Sequence, residues 1–198
     1  MKKSAQDTKQ HILDCGYQLI AAQGFTHVGL AQILSIAEVP KGSFYHYFKS
    51  KEQFGESLIQ RYFERYQEQL ITVLSPAIGT GYDRIMNYWK CWIETQTNDG
   101  CSDKRCLVVK LSAEVSDLSE VMRTALMVGT NSIIQRLADC IEEGRLDGSI
   151  NTHNPQLMAQ TLYQLWLGAS LIAKLQRSPV ALEQAYLSTQ TLLTTGSI

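Results

Sequence analysis

The residues in this chain able to do covalent chemistry are its five cysteines, Cys15, Cys91, Cys101, Cys106 and Cys140. Lys104 and Arg105 precede Cys106, and a mostly apolar helical segment follows it to Glu114. Neighbouring cations and the exposed amides of a helix N-terminus stabilise a thiolate, the form of cysteine that attacks electrophiles and oxidants. Arg105 either adds to that effect or turns outward. Cys101 lies slightly earlier in a polar turn, where it is placed to resolve an oxidised Cys106 as a disulfide. Cys15, Cys91 and Cys140 fall inside predicted helices and read as small apolar side chains. An odd number of cysteines at irregular spacing fits neither a disulfide scaffold nor a tetrahedral metal site. With no phosphate loop and no nucleophile–base constellation, the expectation is no metal, no cofactor and no enzyme. The different-class alternative is a cysteine-dependent detoxification enzyme. Such an enzyme would turn over an electrophile, whereas a sensor is modified once per reactive thiol.

A second group of residues suits a polyanion. Thr26, Lys41, Ser43, Tyr45, Tyr47 and Lys51 carry donors for phosphate oxygens, and Lys41, Ser43 and His46 are also able to approach base edges. Tyr45, His46 and Tyr47 cannot all point inward from one short helix, so a working surface accounts for them better than a purely structural role. The formal net charge is only -1, which argues against a general nucleic-acid coat. The stretch Pro40 to Lys51 nevertheless holds Lys41, Lys49 and Lys51 with no acidic residue. When one surface alone meets phosphate, local field outweighs total charge.

The elements that must position these groups are helical throughout. With 198 residues, 44% of them hydrophobic, the chain is able to build a substantial core. Apolar periodicity predicts helices over 8–22, from a Thr26 cap through Leu34, over 41–47, and over 51–74 with Ser50 as cap. Pro76, Gly79 and Gly81 then mark a linker. Further helices are expected over 82–95, 106–114, 119–142, from Asn154 or Pro155 to a break at Ser178 and Pro179, and over 180–193. The amino terminus has two lysines but no following apolar core of a secretion signal, and no run approaches a membrane span. A cytosolic protein with no membrane association and reduced cysteines is therefore expected.

The order Thr26-His27-Val28-Gly29-Leu30-Ala31-Gln32-Ile33, then Ala37-Glu38-Val39-Pro40-Lys41-Gly42-Ser43-Phe44-Tyr45-His46-Tyr47-Phe48 and Ser50-Lys51-Glu52, resembles the DNA-binding signature of TetR-family regulators. The resemblance implies an all-α fold of about nine helices. Residues 1–50 would form a three-helix helix-turn-helix domain, and residues 51–198 an effector-sensing and dimerisation domain including the connecting helix 51–74. It also implies a homodimer through 155–178 and 179–195 and a palindromic double-stranded operator. Thr26, Lys41, Ser43, Tyr45, His46, Tyr47 and Lys51 are the DNA contacts it suggests.

Within that family, Cys106-Leu107-Val108-Val109-Lys110-Leu111-Ser112-Ala113-Glu114-Val115, with Leu165-Trp166-Leu167-Gly168-Ala169 and Lys174, resembles repressors associated with reactive electrophiles and detoxification enzymes. Arg105 is a departure, since the resembling sequence carries a small residue there. This resemblance implies sensing of a small reactive electrophile or oxidant at Cys106, with relief of repression as the output. Lys174 would assist if the fold brings it close. The competing mechanism is a non-covalent apolar ligand among Tyr82, Tyr88, Trp89, Trp92, Tyr163 and Trp166.

Overall fold

A computed structural model describes residues 5–97 and 107–196. Among the described residues there are nine α-helices: α1 (Ala5–Gln23), α2 (Leu30–Ala37), α3 (Lys41–Tyr47), α4 (Lys51–Val73), α5 (Gly81–Thr97), α6 (Leu107–Val115), α7 (Glu120–Leu146), α8 (Pro155–Gln176) and α9 (Val180–Thr195). A single 3-10 turn, Pro76–Ile78, occupies the expected linker. No strand occurs among the described residues.

Local chemistry sets the helix ends. Ser50 Oγ accepts the Gln53 amide at 3.1 Å while the Gln53 side chain accepts the Lys49 amide at 2.7 Å, satisfying orphan donors at the start of α4. Asn154 Oδ1 accepts the Leu157 amide at 3.0 Å, and Pro155 occupies the first turn of α8. Two of the boundaries that differ from the expectation have a visible cause. The N-cap of α2 is Gly29, with no side-chain cap, so Thr26 does not cap that helix. Helix α7 also continues through Gly144 to Leu146, because that glycine serves close packing rather than termination. A Cβ on the facing Gly81 would stand 2.3 Å from the Gly144 Cα.

The chain divides into two compact units, Met1–Glu64 with Cys101–Gly129, and Arg65–Gly100 with Thr130–Ile198. The division does not follow a boundary at residue 50, since α6 and the beginning of α7 join the N-terminal helices. In the first unit Ile12, Ile20, Val28, Ile33, Phe44, Phe54, Leu111 and Met122 are completely buried. Phe44, Phe48 and Phe54 form an aromatic knot with ring centroids 5.1–5.6 Å apart. In the second unit Trp89 lies flat on Trp166 at 4.6 Å, surrounded by Tyr88, Trp92 and Tyr163.

Candidate nucleic-acid interface and its control element

Helices α2 and α3 are joined by three residues, Glu38, Val39 and Pro40. Glu38 takes the left-handed conformation at φ 52°, and its amide reaches the end of α2. Phe44 anchors α3 to the core. Burying that face leaves Lys41, Tyr45 and His46 exposed, with Ser43 and Tyr47 half-buried beside them. Tyr45 is 50% exposed, although an aromatic ring on a helix would ordinarily seek the core. Lys41 Nζ stands 5.8 Å from the Tyr45 ring centre, and the rings of His46 and Tyr47 are 4.8 Å apart. The result is a short, rigidly seated helix presenting cationic, hydroxyl and imidazole groups on one surface, with dimensions suited to a major groove.

Thr26 and Lys51, expected among the phosphate donors, have other partners. The Thr26 hydroxyl donates to Glu114 on α6, and its amide donates to the same carboxylate oxygen at 2.6 Å. Lys51 Nζ donates to the Phe25 carbonyl at 2.7 Å and lies 4.4 Å from the centre of the Phe25 ring. Their donor chemistry and the family resemblance suggested phosphate, whereas the fold gives the Thr26 hydroxyl a partner on α6 and the Lys51 ammonium one in the α1–α2 turn. Burial lowers the Lys51 ammonium below the ordinary lysine value, against the opposing pull of Glu52 and Glu114.

Two α6 residues, unremarked as site residues from sequence, hold this turn. Lys110 Nζ donates to the Ala21 and Ala22 carbonyls at 2.5 and 2.7 Å, at the C-terminal end of α1. A cation there meets unsatisfied carbonyls and the negative end of the helix dipole. Glu114, one turn later on α6, accepts the Phe25 amide at 3.1 Å besides its two bonds from Thr26. Partial burial by itself would raise the Glu114 carboxyl. The Thr26 hydroxyl, the Thr26 and Phe25 amides and nearby His27 outweigh burial and hold it below its ordinary value. The signal legible beforehand was only a Lys–Glu pair at helical spacing, which ordinarily means a solvated face.

Residues 12–58 match the family of bacterial regulatory proteins described as the tetR family, and residues 81–188 match a tetracyclin repressor-like C-terminal domain. The chain belongs to the TetR family. It is 41% identical over 198 residues to the HTH-type transcriptional repressor NemR of Escherichia coli (strain K12), covering 100% of this chain and 99% of NemR. The crystal structure of reduced E. coli NemR superposes with a TM-score of 0.87 at 42% identity, covering 97% of this chain and 100% of that one. The HTH-type transcriptional repressor DhaR of Mycobacterium sp. (strain GP1) is 36% identical over 177 residues, 89% of this chain and 87% of DhaR. The protein is thus a TetR-family transcriptional repressor closely related to NemR.

The remaining candidate residues of this TetR-family chain have mixed placements. Cys101, Arg105 and Cys106 lie outside the described residues. Lys174 is exposed in the last turn of α8. Cys140 is buried, which pushes its thiol up to about 11, and partial burial also raises Cys91. Burial thus disfavours the nucleophilic thiolate at Cys140, as expected of a core cysteine. Of the aromatics weighed as a ligand site, Tyr88, Trp89, Trp92, Tyr163 and Trp166 are buried and Tyr82 is half-buried. Trp92 donates to Ser170 and Trp166 to Thr189, each at 2.9 Å. The buried Trp89 indole N–H has no hydrogen-bond partner among the described residues. Among those residues, no cluster of His, Cys, Asp or Glu is arranged to hold a metal ion, and no helix is long and apolar enough to cross a membrane.

Proposed function

We propose that this TetR-family repressor binds a palindromic operator as a homodimer and is released when a reactive electrophile or oxidant modifies Cys106. The observation that carries the reading is the full-length relation to NemR, a repressor crystallised in a form named as reduced. The position of Cys106 adds physical support. It immediately precedes α6, the helix whose Lys110 and Glu114 grip the α1–α2 turn. Alkylation by an activated alkene would form a bond from Sγ to the β-carbon. The alkene electron pair would move onto the electron-withdrawing group and be protonated by solvent. A peroxide would instead transfer one oxygen to Sγ, giving a sulfenic acid, with its leaving oxygen departing as water or an alcohol. Cys101 would then resolve that acid as a disulfide with loss of water, and Arg105 and Lys174 would favour the reactive thiolate. Lys41, Ser43, Tyr45, His46 and Tyr47 are the proposed DNA contacts, with Thr26 and Lys51 acting through the turn they hold. Control of detoxification genes is the output this chemistry suits.

Selection of bound sequences from a random duplex library with reduced protein, followed by N-ethylmaleimide treatment, tests the reading. An enriched palindrome released from wild type but not from Cys106→Ser is the expected result. Release unchanged in Cys106→Ser would move the trigger elsewhere, and absence of any enriched sequence would overturn operator binding.

One observation favours a second reading, in which a non-covalent ligand is the inducer. The unpartnered Trp89 N–H among stacked aromatics would donate to an acceptor on an apolar molecule. Under that reading Trp89→Phe weakens induction while Cys106→Ser leaves it intact.

A further inference from the structure

We propose that Lys110 and Glu114 are positioning residues for DNA binding, a two-pronged latch by which α6 fixes the direction in which the α2–α3 pair leaves α1. The proposal needs only the repressor activity and holds for either kind of inducer. Four residues of one short stretch are gripped from α6: the Ala21 and Ala22 carbonyls by Lys110, and the Phe25 and Thr26 amides by Glu114. Each charge meets the backbone groups of opposite polarity. The ammonium sits on carbonyls ending α1, and the carboxylate sits on amides that no helix satisfies.

Burial of Phe25 and Val28 seats the turn, and His11 Nε2 on α1 lies 3.1 Å from the Ala37 carbonyl of α2, while the polar groups of the turn look to other helices. Gly29 caps α2 without a side-chain bond, so the Phe25 and Thr26 amides find their partners outside the segment. Lys51 supplies one from α4 at the Phe25 carbonyl, and α6 supplies the others. The seat for Glu114 is close-fitting. Gly24 has φ +91°, and a Cβ there would stand 3.0 Å from a Glu114 carboxylate oxygen.

Both prongs ride on one helix a single turn apart, so they engage or release together. Sliding α6 by one residue moves each prong by about 1.5 Å and rotates it by about 100°. Hydrogen bonds of 2.5–3.1 Å do not survive that displacement. The turn would then be free to re-aim α2 and α3 together with the start of α4, because Phe44, Phe48 and Phe54 tie α3 to it. A palindrome detects such re-aiming, since both heads must fit at once, whereas an isolated half-site does not.

The test compares affinity of the full-length dimer for its selected palindrome and for a single half-site. Wild type, Glu114→Ala, Glu114→Gln, Lys110→Met, Thr26→Val and Thr26→Ser are measured, with dimer mass and thermal unfolding followed in parallel. Glu114→Ala, Lys110→Met and Thr26→Val are each expected to weaken palindrome binding about tenfold while half-site binding stays within about twofold. Thr26→Ser, which keeps the hydroxyl, should match wild type. Thr26→Val combined with Glu114→Ala should cost little more than either alone, as for two ends of one contact. If Glu114→Ala does not fold, Glu114→Gln carries the same comparison at constant side-chain size. The proposal is overturned if the palindrome stays within about twofold, if palindrome and half-site weaken by the same factor, or if the double variant is additive.

Discussion

Glu114 illustrates how a charged residue becomes structural through its partners. Its carboxylate accepts two backbone amides and one hydroxyl, and these contacts outweigh partial burial to hold the acid below its ordinary value of 4.5. A depressed folded-state value means the stabilisation is complete above the ordinary value and is lost as pH falls through the depressed one. Denaturant unfolding of wild type and Glu114→Gln from about pH 7 to about pH 3 should therefore show a stability difference that shrinks towards acid. A constant difference would mean that this carboxyl does not titrate with unfolding. Glu38 is a second residue-scale case. It holds φ 52° at the end of α2, a conformation that costs a side-chain-bearing residue about 1 kcal/mol or more. Glu38→Gly should stabilise the chain by about 1 kcal/mol in thermal or urea unfolding while leaving the α3 donors in place.

Helix α3 shows how one element divides labour between its faces. Phe44 is wholly buried, and that seat leaves Lys41 and His46 exposed on the outer surface. An ammonium paired with phosphate contributes affinity through counterion release, independent of base identity. Lys41→Ala is thus expected to weaken operator and random duplex alike and to lower the salt slope of binding by about one. His46→Ala should instead relax base preference at one position in each half-site, read by repeating the selection with the variant. A Lys41 variant that altered base preference without changing the salt slope would exchange these assignments. The presentation of Tyr45 and His46 was readable from sequence, because Tyr45, His46 and Tyr47 cannot share one inward face. The contacts of Thr26 and Lys51 were not, since they depend on where α6 and the Phe25 carbonyl arrive in space.

At the scale of the whole molecule, the second unit keeps apolar side chains at its surface. On α8 Leu171, Ile172 and Leu175 are exposed, and on α9 Val180 and Leu187 join them, with Leu175 at 71% and Leu187 at 62%. A group of large aliphatic residues left in water on two helices suits association with a second copy. Replacing Leu175 and Leu187 together by Glu should convert a dimer into a monomer by light scattering and abolish palindrome binding. Far-ultraviolet helicity should remain near wild type. A dimer that persists in this variant would place the contact on other faces.

The sequence by itself determined the helices and the recognition signature, because periodic burial and helix-ending residues act over a few neighbours. It also read Cys140 as a small apolar side chain within a helix, and that residue is buried. Only the tertiary structure decided that Thr26 meets Glu114, that Lys110 closes α1, and that α6 belongs with the N-terminal helices. Those pairings join residues 88 or 89 positions apart. No local pattern specifies them: a Lys and a Glu one turn apart look the same on a solvated face and where they grip a neighbouring turn, and packing alone distinguishes the two.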